Sequence, residues 1–190
     1  MKNRENLRLR RMARLVDGYS RVADVGCAQM PNTFLRADYL VGIDIAEARF
    51  PKSYSQCFKG TIEDFLEVSG PSTIDAIVAG EIIEHLRDPL AFLGTCRDII
   101  RPGGKLVLST PNPNSYIERA LTLFLSRRFF YTREHIFLFP QRWLIRLLDV
   151  AGFTNIRLYS GGFPIPIVGL VPFPRPWCYQ TIAEAYRRDA

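Results

Sequence analysis

The sequence predicts an α/β, doubly wound sheet, and three observations predict it. Short apolar runs alternate with helix-like segments from residue 21 to residue 160. Two of those runs, Arg21–Gly26 and Tyr39–Ile45, carry acids near their ends. These acids, Asp24 and Asp44, stand twenty residues apart, about one strand-helix-strand unit. The 190 residues, 47% hydrophobic and 23% charged, suit a single domain spanning 1–190 with a substantial core.

The elements follow in order. Residues 3–17 read as a basic amphipathic helix that packs through Leu7, Met12, Leu15 and Val16 and stops at Asp17-Gly18. Arg21–Gly26 is the first strand, Asn32–Asp38 a short helix or turn, and Tyr39–Ile45 the second strand. Ser55–Lys59 is a short third strand. Ile62–Val68 starts a helix that Gly70-Pro71 breaks, and Ile74–Ala79 is the fourth strand. Asp88–Arg101 is a helix with Pro89 at its first position and an apolar face of Leu90, Phe92, Leu93, Cys96, Ile99 and Ile100. Pro102-Gly-Gly104 stops it. Lys105–Thr110 is a continuous apolar fifth strand, suited to the centre of a parallel sheet. Gln141–Ala151 is a helix capped by Gly152, and Asn155–Tyr159 is the sixth strand. An irregular strand is expected around Ile165–Leu170, and a last helix over Thr181–Arg188. Residues 113–134 form an insert rich in aromatic and aliphatic side chains, among them Tyr116, Phe129, Phe130 and Tyr131, with Arg127 and Arg128 between them.

Charge and cysteine content narrow the function classes. Net charge is +6, and residues 1–21 hold seven basic side chains against Glu5 and Asp17. That cluster is either the solvated face of the first helix or a contact for an anionic partner. The four cysteines are scattered without a Cys-x-x-Cys pair, as reduced thiols are. With no long apolar run and no leader-like start, the expected location is cytoplasmic. Spacing along the chain offers no metal-ligand set.

The acids identify a class of ligand. An acid at the tip of a second parallel strand is how doubly wound folds hold the hydroxyls of a ribose. A pyrophosphate needs a Gly-x-Gly-x-x-Gly turn, yet here Gly26 is followed by Ala28, Met30 and Pro31. Asp24 at the mouth of that turn repels a diphosphate and suits a cation. A ribose, an ammonium, a sulfonium and no phosphate are the features of S-adenosylmethionine.

Five motifs in order now resemble a known family. They are Val22-Ala-Asp-Val-Gly-Cys27, Val41-Gly-Ile-Asp-Ile45, Asp75-Ala-Ile-Val-Ala-Gly-Glu-Ile-Ile-Glu-His-Leu86, and Ile100-Arg-Pro-Gly-Gly-Lys-Leu-Val-Leu-Ser-Thr-Pro-Asn112. The fifth is Glu134-His135 with Leu138-Phe139 and Ala151-Gly-Phe153. Together they resemble class I S-adenosylmethionine-dependent methyltransferases, most closely the branch with ubiquinone and menaquinone methyltransferases. The resemblance implies a seven-stranded, mostly parallel, Rossmann-like sheet whose last strand is antiparallel. It implies that Gly26, Cys27 and Ala28 wrap the methionine part and that Asp24 attracts its ammonium. Asp44 takes the ribose, Ile45 packs on the adenine, and Ile62 and Glu63 line the adenine's other side. Gly80 and Glu81 run beneath the methionyl group, with His85 beside the methyl. Glu84 reads as a solvated acid in a first helical turn. His85 and His135 are the candidates for catalysis, and Tyr116 and His135 for contact with the acceptor.

The resemblance leaves two departures and several rivals. The family's Gly-x-Gly-x-Gly becomes Gly26-x-Ala28-x-Met30, and Thr61 stands where the family often has an acid. The expected acceptor is a small molecule, apolar or amphipathic: a quinone precursor, a sugar or a lipid-linked intermediate. The insert has three readings: lid of the acceptor pocket, peripheral contact with a membrane surface, or packing on the core or on the second copy of a homodimer. A non-catalytic binding module and an RNA or protein methyltransferase are the rivals. Nucleic acid is disfavoured, since no RNA-binding module is present.

Overall fold

The computed structural model describes residues 6–47, 51–124, 134–165 and 169–188. Seven strands form one sheet: β1 (Arg21–Val25), β2 (Tyr39–Asp44), β3 (Gln56–Lys59), β4 (Ile74–Gly80), β5 (Ile100–Pro111), β6 (Phe153–Ser160) and a last strand, Gln180–Arg187. Between β6 and the last strand lie β7 (Phe163–Ile165) and β8 (Gly169–Val171), so the last strand is β9. The order across the sheet is β3-β2-β1-β4-β5-β9-β6. β1 to β5 pair in parallel, and β9 runs antiparallel to both β5 and β6. The doubly wound, mostly parallel, seven-stranded sheet of the sequence reading is therefore present.

Alternation along the strands builds two cores. Ala23, Val25, Ile77, Ala79, Leu106 and Leu108 point to one face. There they meet α2 (Ile62–Ser69), α3 (Pro89–Ile99) and α5 (Gln141–Val150) through Phe65, Leu93, Cys96, Leu144 and Leu148. Val22, Ala76, Val78, Val107 and Ile182 point to the other face, covered by Met12 and Val16 near α1 (Asn6–Leu15) and by Leu35 and Tyr54. Each fully buried large side chain contributes about 1.5–3 kcal/mol of transfer free energy, so these two layers carry the fold. Helix starts are set locally. Thr61 and Asp64 form a reciprocal capping box on α2, and Asp88 caps α3 ahead of Pro89.

The C-terminal end departs from the sequence reading. Thr181–Arg188, expected as a helix, is the strand β9. Ala183, Glu184 and Ala185 favour a helix in isolation, but β9 sits between two strands and is buried on both faces. Its buried Glu184 Oε1 meets Lys105 Nζ at 2.7 Å, and the Tyr159 hydroxyl donates to Glu184 Oε2 at 2.6 Å. The irregular strand expected around Ile165–Leu170 is the β7–β8 hairpin, described on both sides of residues 166–168. Asn32–Asp38 is a turn without a helix. The insert contains α4 (Tyr116–Phe124); Arg127, Arg128, Phe129, Phe130 and Tyr131 lie outside the described residues. Among the described residues, no helix is long and apolar enough to cross a membrane.

Candidate active site

The strand order reverses at β1 and β4, which opens a crevice at their carboxyl ends. A cleft of about 780 Å³ lies there, lined by Asp24, Gly26, Cys27, Asp44, Ile45, Gly80, Glu81 and His85, with Arg8, Met30, Ile82, Glu134 and Gln180 among the rest. Gly26 turns the chain at φ 71°, and a Cβ there would come within 2.7 Å of Ile82 Cδ1. Only glycine combines that dihedral with that closeness. The Gly26 N–H donates to the Ile43 carbonyl at 2.9 Å, which ties the turn to β2.

Asp44 ends β2 and organises the opposite lip. Its Oδ2 accepts from the Ala28 N–H at 2.8 Å and its Oδ1 from the Ala46 N–H at 2.8 Å. Beside it Ile45 is 72% exposed, an apolar wall at the mouth of the cleft.

Asp24 is buried below the turn. The Asn32 N–H donates to its Oδ2 at 3.0 Å, and the Tyr54 hydroxyl donates to the same oxygen. Burial pushes its pKa up to about 6, opposed by those two hydrogen bonds and by nearby Arg8.

Arg8 is the residue that sequence reasoning missed. It belongs to the basic first helix, yet it is 3% exposed and lines the cleft. One nitrogen, Nη1, donates to Ser109 Oγ at 2.8 Å and lies 3.9 Å from Glu81 Oε1, while Nη2 reaches Met30 Sδ at 3.6 Å. Arginine at i+1 of Leu7 on an amphipathic helix gives no separate sequence signal; in the fold α1 buries Arg8 together with Leu9 and Met12.

Glu81 follows β4 at φ 54°, a left-handed conformation costly for a residue with a Cβ. Its carboxylate is held on both oxygens: Ser109 Oγ donates to Oε1 at 2.8 Å and Gln180 Nε2 to Oε2 at 3.0 Å. Such strain, held by two partners and aimed into a cleft, is a mark of functional sites.

Glu84 overturns its sequence reading. It lies in a 3₁₀ turn, Ile83–His85, and is completely buried, not solvated. Thr110 Oγ1 donates to its Oε2 at 3.1 Å, and its Oε1 has no hydrogen-bond partner. Burial, then the nearby Glu81 charge, pushes its pKa up to about 8. The Glu84 carbonyl accepts the N–H groups of Ile136 at 2.8 Å and Phe137 at 3.2 Å, which brings residue 135 onto the turn. The rings of His85 and His135 then meet edge to face with centroids 4.7 Å apart. Burial and neighbouring His85 hold His135 below its ordinary pKa. Ligand atoms of Glu84, His85 and His135 lie within 4.8 Å of one another, a grouping that fifty residues of sequence separation concealed.

Five expected residues are not among those that line the cleft: Ala28, held at its lip by its N–H to Asp44 Oδ2, His135, packed against His85, and Ile62, Glu63 and Tyr116. Ile62, the first residue of α2, is buried in the core, and Glu63 accepts a hydrogen bond from Thr95 Oγ1 at 3.4 Å; neither lines the cleft. Tyr116 is half exposed and stacks on Trp177 with centroids 5.7 Å apart, outside the cleft.

Comparison with known proteins bears on the family and the fold. The family model described as "Methyltransferase domain" matches residues 6–158. A ubiquinone biosynthesis O-methyltransferase of Dinoroseobacter shibae is 32% identical over 105 residues, covering 50% of this chain and 42% of the relative. One of the same name from Roseobacter denitrificans is 32% identical over 181 residues, covering 84% of this chain and 66% of the relative. The chain thus spans about half or less of the length of the first curated relatives it matches. A solved structure titled as a SAM-dependent methyltransferase from Archaeoglobus fulgidus superposes with TM-score 0.73 at 18% identity, covering 98% of this chain and 95% of that one. At that identity the likeness speaks for the fold.

Proposed function

The chain belongs to the methyltransferase-domain family, and from that premise we propose that it transfers a methyl group from S-adenosylmethionine to an oxygen of a small-molecule acceptor. The observation that carries this reading is the pair of acids on either side of the Gly26 turn, with Arg8 between Ser109 and Glu81. Asp44 takes the ribose hydroxyls and the exposed Ile45 side chain packs on the adenine. Gly26, Cys27 and Ala28 follow the methionine part. Asp24 faces the ammonium and Arg8 the carboxylate, so each charged group of the amino acid meets its opposite. Gly80 and Glu81 run under the methionyl chain. The residues present fit the ligand in charge as well as in size, with no phosphate-binding turn to accommodate.

The sulfonium supplies an activated methyl group, and transfer is an in-line displacement. The chain's part is to hold donor and acceptor in line and to exclude water. His85 and His135 stand on the acceptor side, where imidazoles hydrogen-bond a hydroxyl. Isothermal titration with S-adenosylhomocysteine tests the cofactor half of this reading, and absence of saturable binding overturns it. Mass spectrometry of quinone precursors, sugars and lipid-linked intermediates incubated with S-adenosylmethionine tests the acceptor half. Methylation at nitrogen or carbon, or none at all, overturns the oxygen assignment.

A further inference from the structure

We propose that Gln180 is a specificity residue of the acceptor pocket, whose side-chain oxygen takes a hydrogen bond from a second hydroxyl on a phenolic methyl acceptor. This rests on the methyltransferase reading above. The first observation is the oxygen itself. Gln180 is 4% exposed and lines the cleft, and among the described residues no donor meets its Oε1. A buried amide oxygen left in that state costs free energy, which a donor on the ligand relieves.

The second is that the amide is fixed. Its Nε2 donates to Glu81 Oε2 at 3.0 Å, and Ser109 holds the other oxygen of Glu81 at 2.8 Å. A carboxylate only accepts, so exchanging the two ends of the amide would set oxygen against oxygen. The backbone is pinned as well. The Gly161 N–H donates to the Gln180 carbonyl at 2.7 Å, and a Cβ on Gly161 would come within 2.8 Å of the Gln180 Cβ. Oε1 is therefore an acceptor held in one place.

The third is position. β9 runs antiparallel to β5, so its first residue, Gln180, lies at the carboxyl ends of the parallel strands, opposite Pro111. In the proposed complex the donors of S-adenosylmethionine are engaged elsewhere. Its ammonium is at Asp24 on β1, its ribose hydroxyls are at Asp44 on β2, and its adenine is against Ile45 just beyond. β9 stands three strands from β1, about 14 Å at the usual strand spacing. None of those donors reaches that far, so the donor that suits Gln180 belongs to the methyl acceptor.

Acid-base chemistry narrows the acceptor. A neutral amide oxygen is too weak a base to take the proton of the hydroxyl that attacks the methyl group. It binds a hydroxyl that keeps its proton, so the acceptor carries two, one methylated and one held. The imidazoles of His85 and His135 remain to assist the first. They are weak bases, and His135 is held below its ordinary pKa. Such bases suit a phenol, which ionises near pH 10, about six units below an unactivated hydroxyl such as that of water.

The probes are phenol and the three benzenediols, the smallest phenolic acceptors without and with a second hydroxyl. Transfer from S-adenosylmethionine is followed by mass spectrometry on the whole chain and on Gln180→Met, which keeps the length of the side chain and loses the amide. A thermal melt verifies that the variant folds. For the parent, kcat/KM for at least one benzenediol is expected to exceed that for phenol by about 10- to 100-fold, the range set by leaving one buried acceptor unmet. In Gln180→Met that ratio is expected to fall to about 1. Glu81 also loses a donor in the variant, which lowers both rates and leaves the ratio as the readout. A second measurement needs no variant. A benzenediol methylated once has no second hydroxyl left to give, so the parent is expected to stop at the monomethyl ether. Equal rates on phenol and the diols, a dimethyl ether as the main product, a ratio unchanged in folded Gln180→Met, or no transfer to any benzenediol overturns the proposal. S-adenosylhomocysteine binding is measured on the same samples. Binding without preference among the probes defeats the role of Gln180 alone, and absence of binding defeats the methyltransferase reading.

Discussion

Asp44 Oδ2 accepts the Ala28 N–H at 2.8 Å, so the acid at the tip of β2 braces the turn that follows β1. One carboxylate thereby sets both lips of the cleft. In the proposed complex it also takes two ribose hydroxyls. Asp44→Ala removes the brace and the acceptors together. Hydrogen bonds to a charged group contribute about 1.5–3 kcal/mol each, so S-adenosylhomocysteine affinity is expected to fall by about 100-fold or more. Asp44→Asn keeps one acceptor and part of the brace, and falls between. Calorimetry on the three proteins gives the order; equal affinities would remove Asp44 from the site.

In the proposed complex, Arg8 separates a ligand with an amino-acid tail from one without it. Arg8→Met keeps the apolar stem and much of the volume but loses the guanidinium. S-adenosylhomocysteine is expected to bind about 10- to 100-fold more weakly, in line with losing one charge-assisted contact. Methylthioadenosine, which has the ribose and adenine but no carboxylate, is expected to bind the variant and the parent alike. A parallel loss for both ligands would reduce Arg8 to a packing residue.

These two residues also show how far the sequence could be read. The acid-tipped second strand and the glycine turn are local patterns, because strand ends and turns are written within a few residues. The sheet was legible for the same reason through β6. Arg8 was not, because a helix with basic residues on several sides does not say which one meets the sheet. Glu84, His85 and His135 were not, because their grouping depends on a backbone contact between residues 84 and 136. β9 was misread because a strand buried on both faces loses the alternation that identifies strands, and its alanines and glutamate favour a helix when nothing flanks them.

Gly26 gives a prediction about stability. Gly26→Ala forces a Cβ into the Ile82 side chain at a dihedral disfavoured for alanine. The left-handed strain costs about 1–2 kcal/mol before the clash is added. A fall in melting temperature of several degrees is expected, together with weakened nucleoside binding. An unchanged melt would mean that the turn relaxes freely.

Asp24 gives a dependence on pH with a definite sign. Its folded pKa of about 6 lies above its ordinary 3.8, because burial disfavours the charge. Between those values the folded chain holds a proton that the unfolded chain has released. Asp24 therefore contributes stability that is fully present below 3.8 and is lost as pH rises through about 6. Ligand binding runs the other way. An ammonium beside Asp24 favours the carboxylate, so below pH 6 the ligand must first displace a proton. Affinity for S-adenosylhomocysteine is expected to fall by up to about tenfold per pH unit in that range, the limit for release of one proton. Asp24→Asn removes the titration, and its affinity, lower at neutral pH, is expected to stay flat through the same interval. Melting curves and calorimetry across the range test both signs together. An Asp24→Asn profile as steep as the parent's would assign the titration to another group and leave Asp24 as a brace for Asn32 and Tyr54.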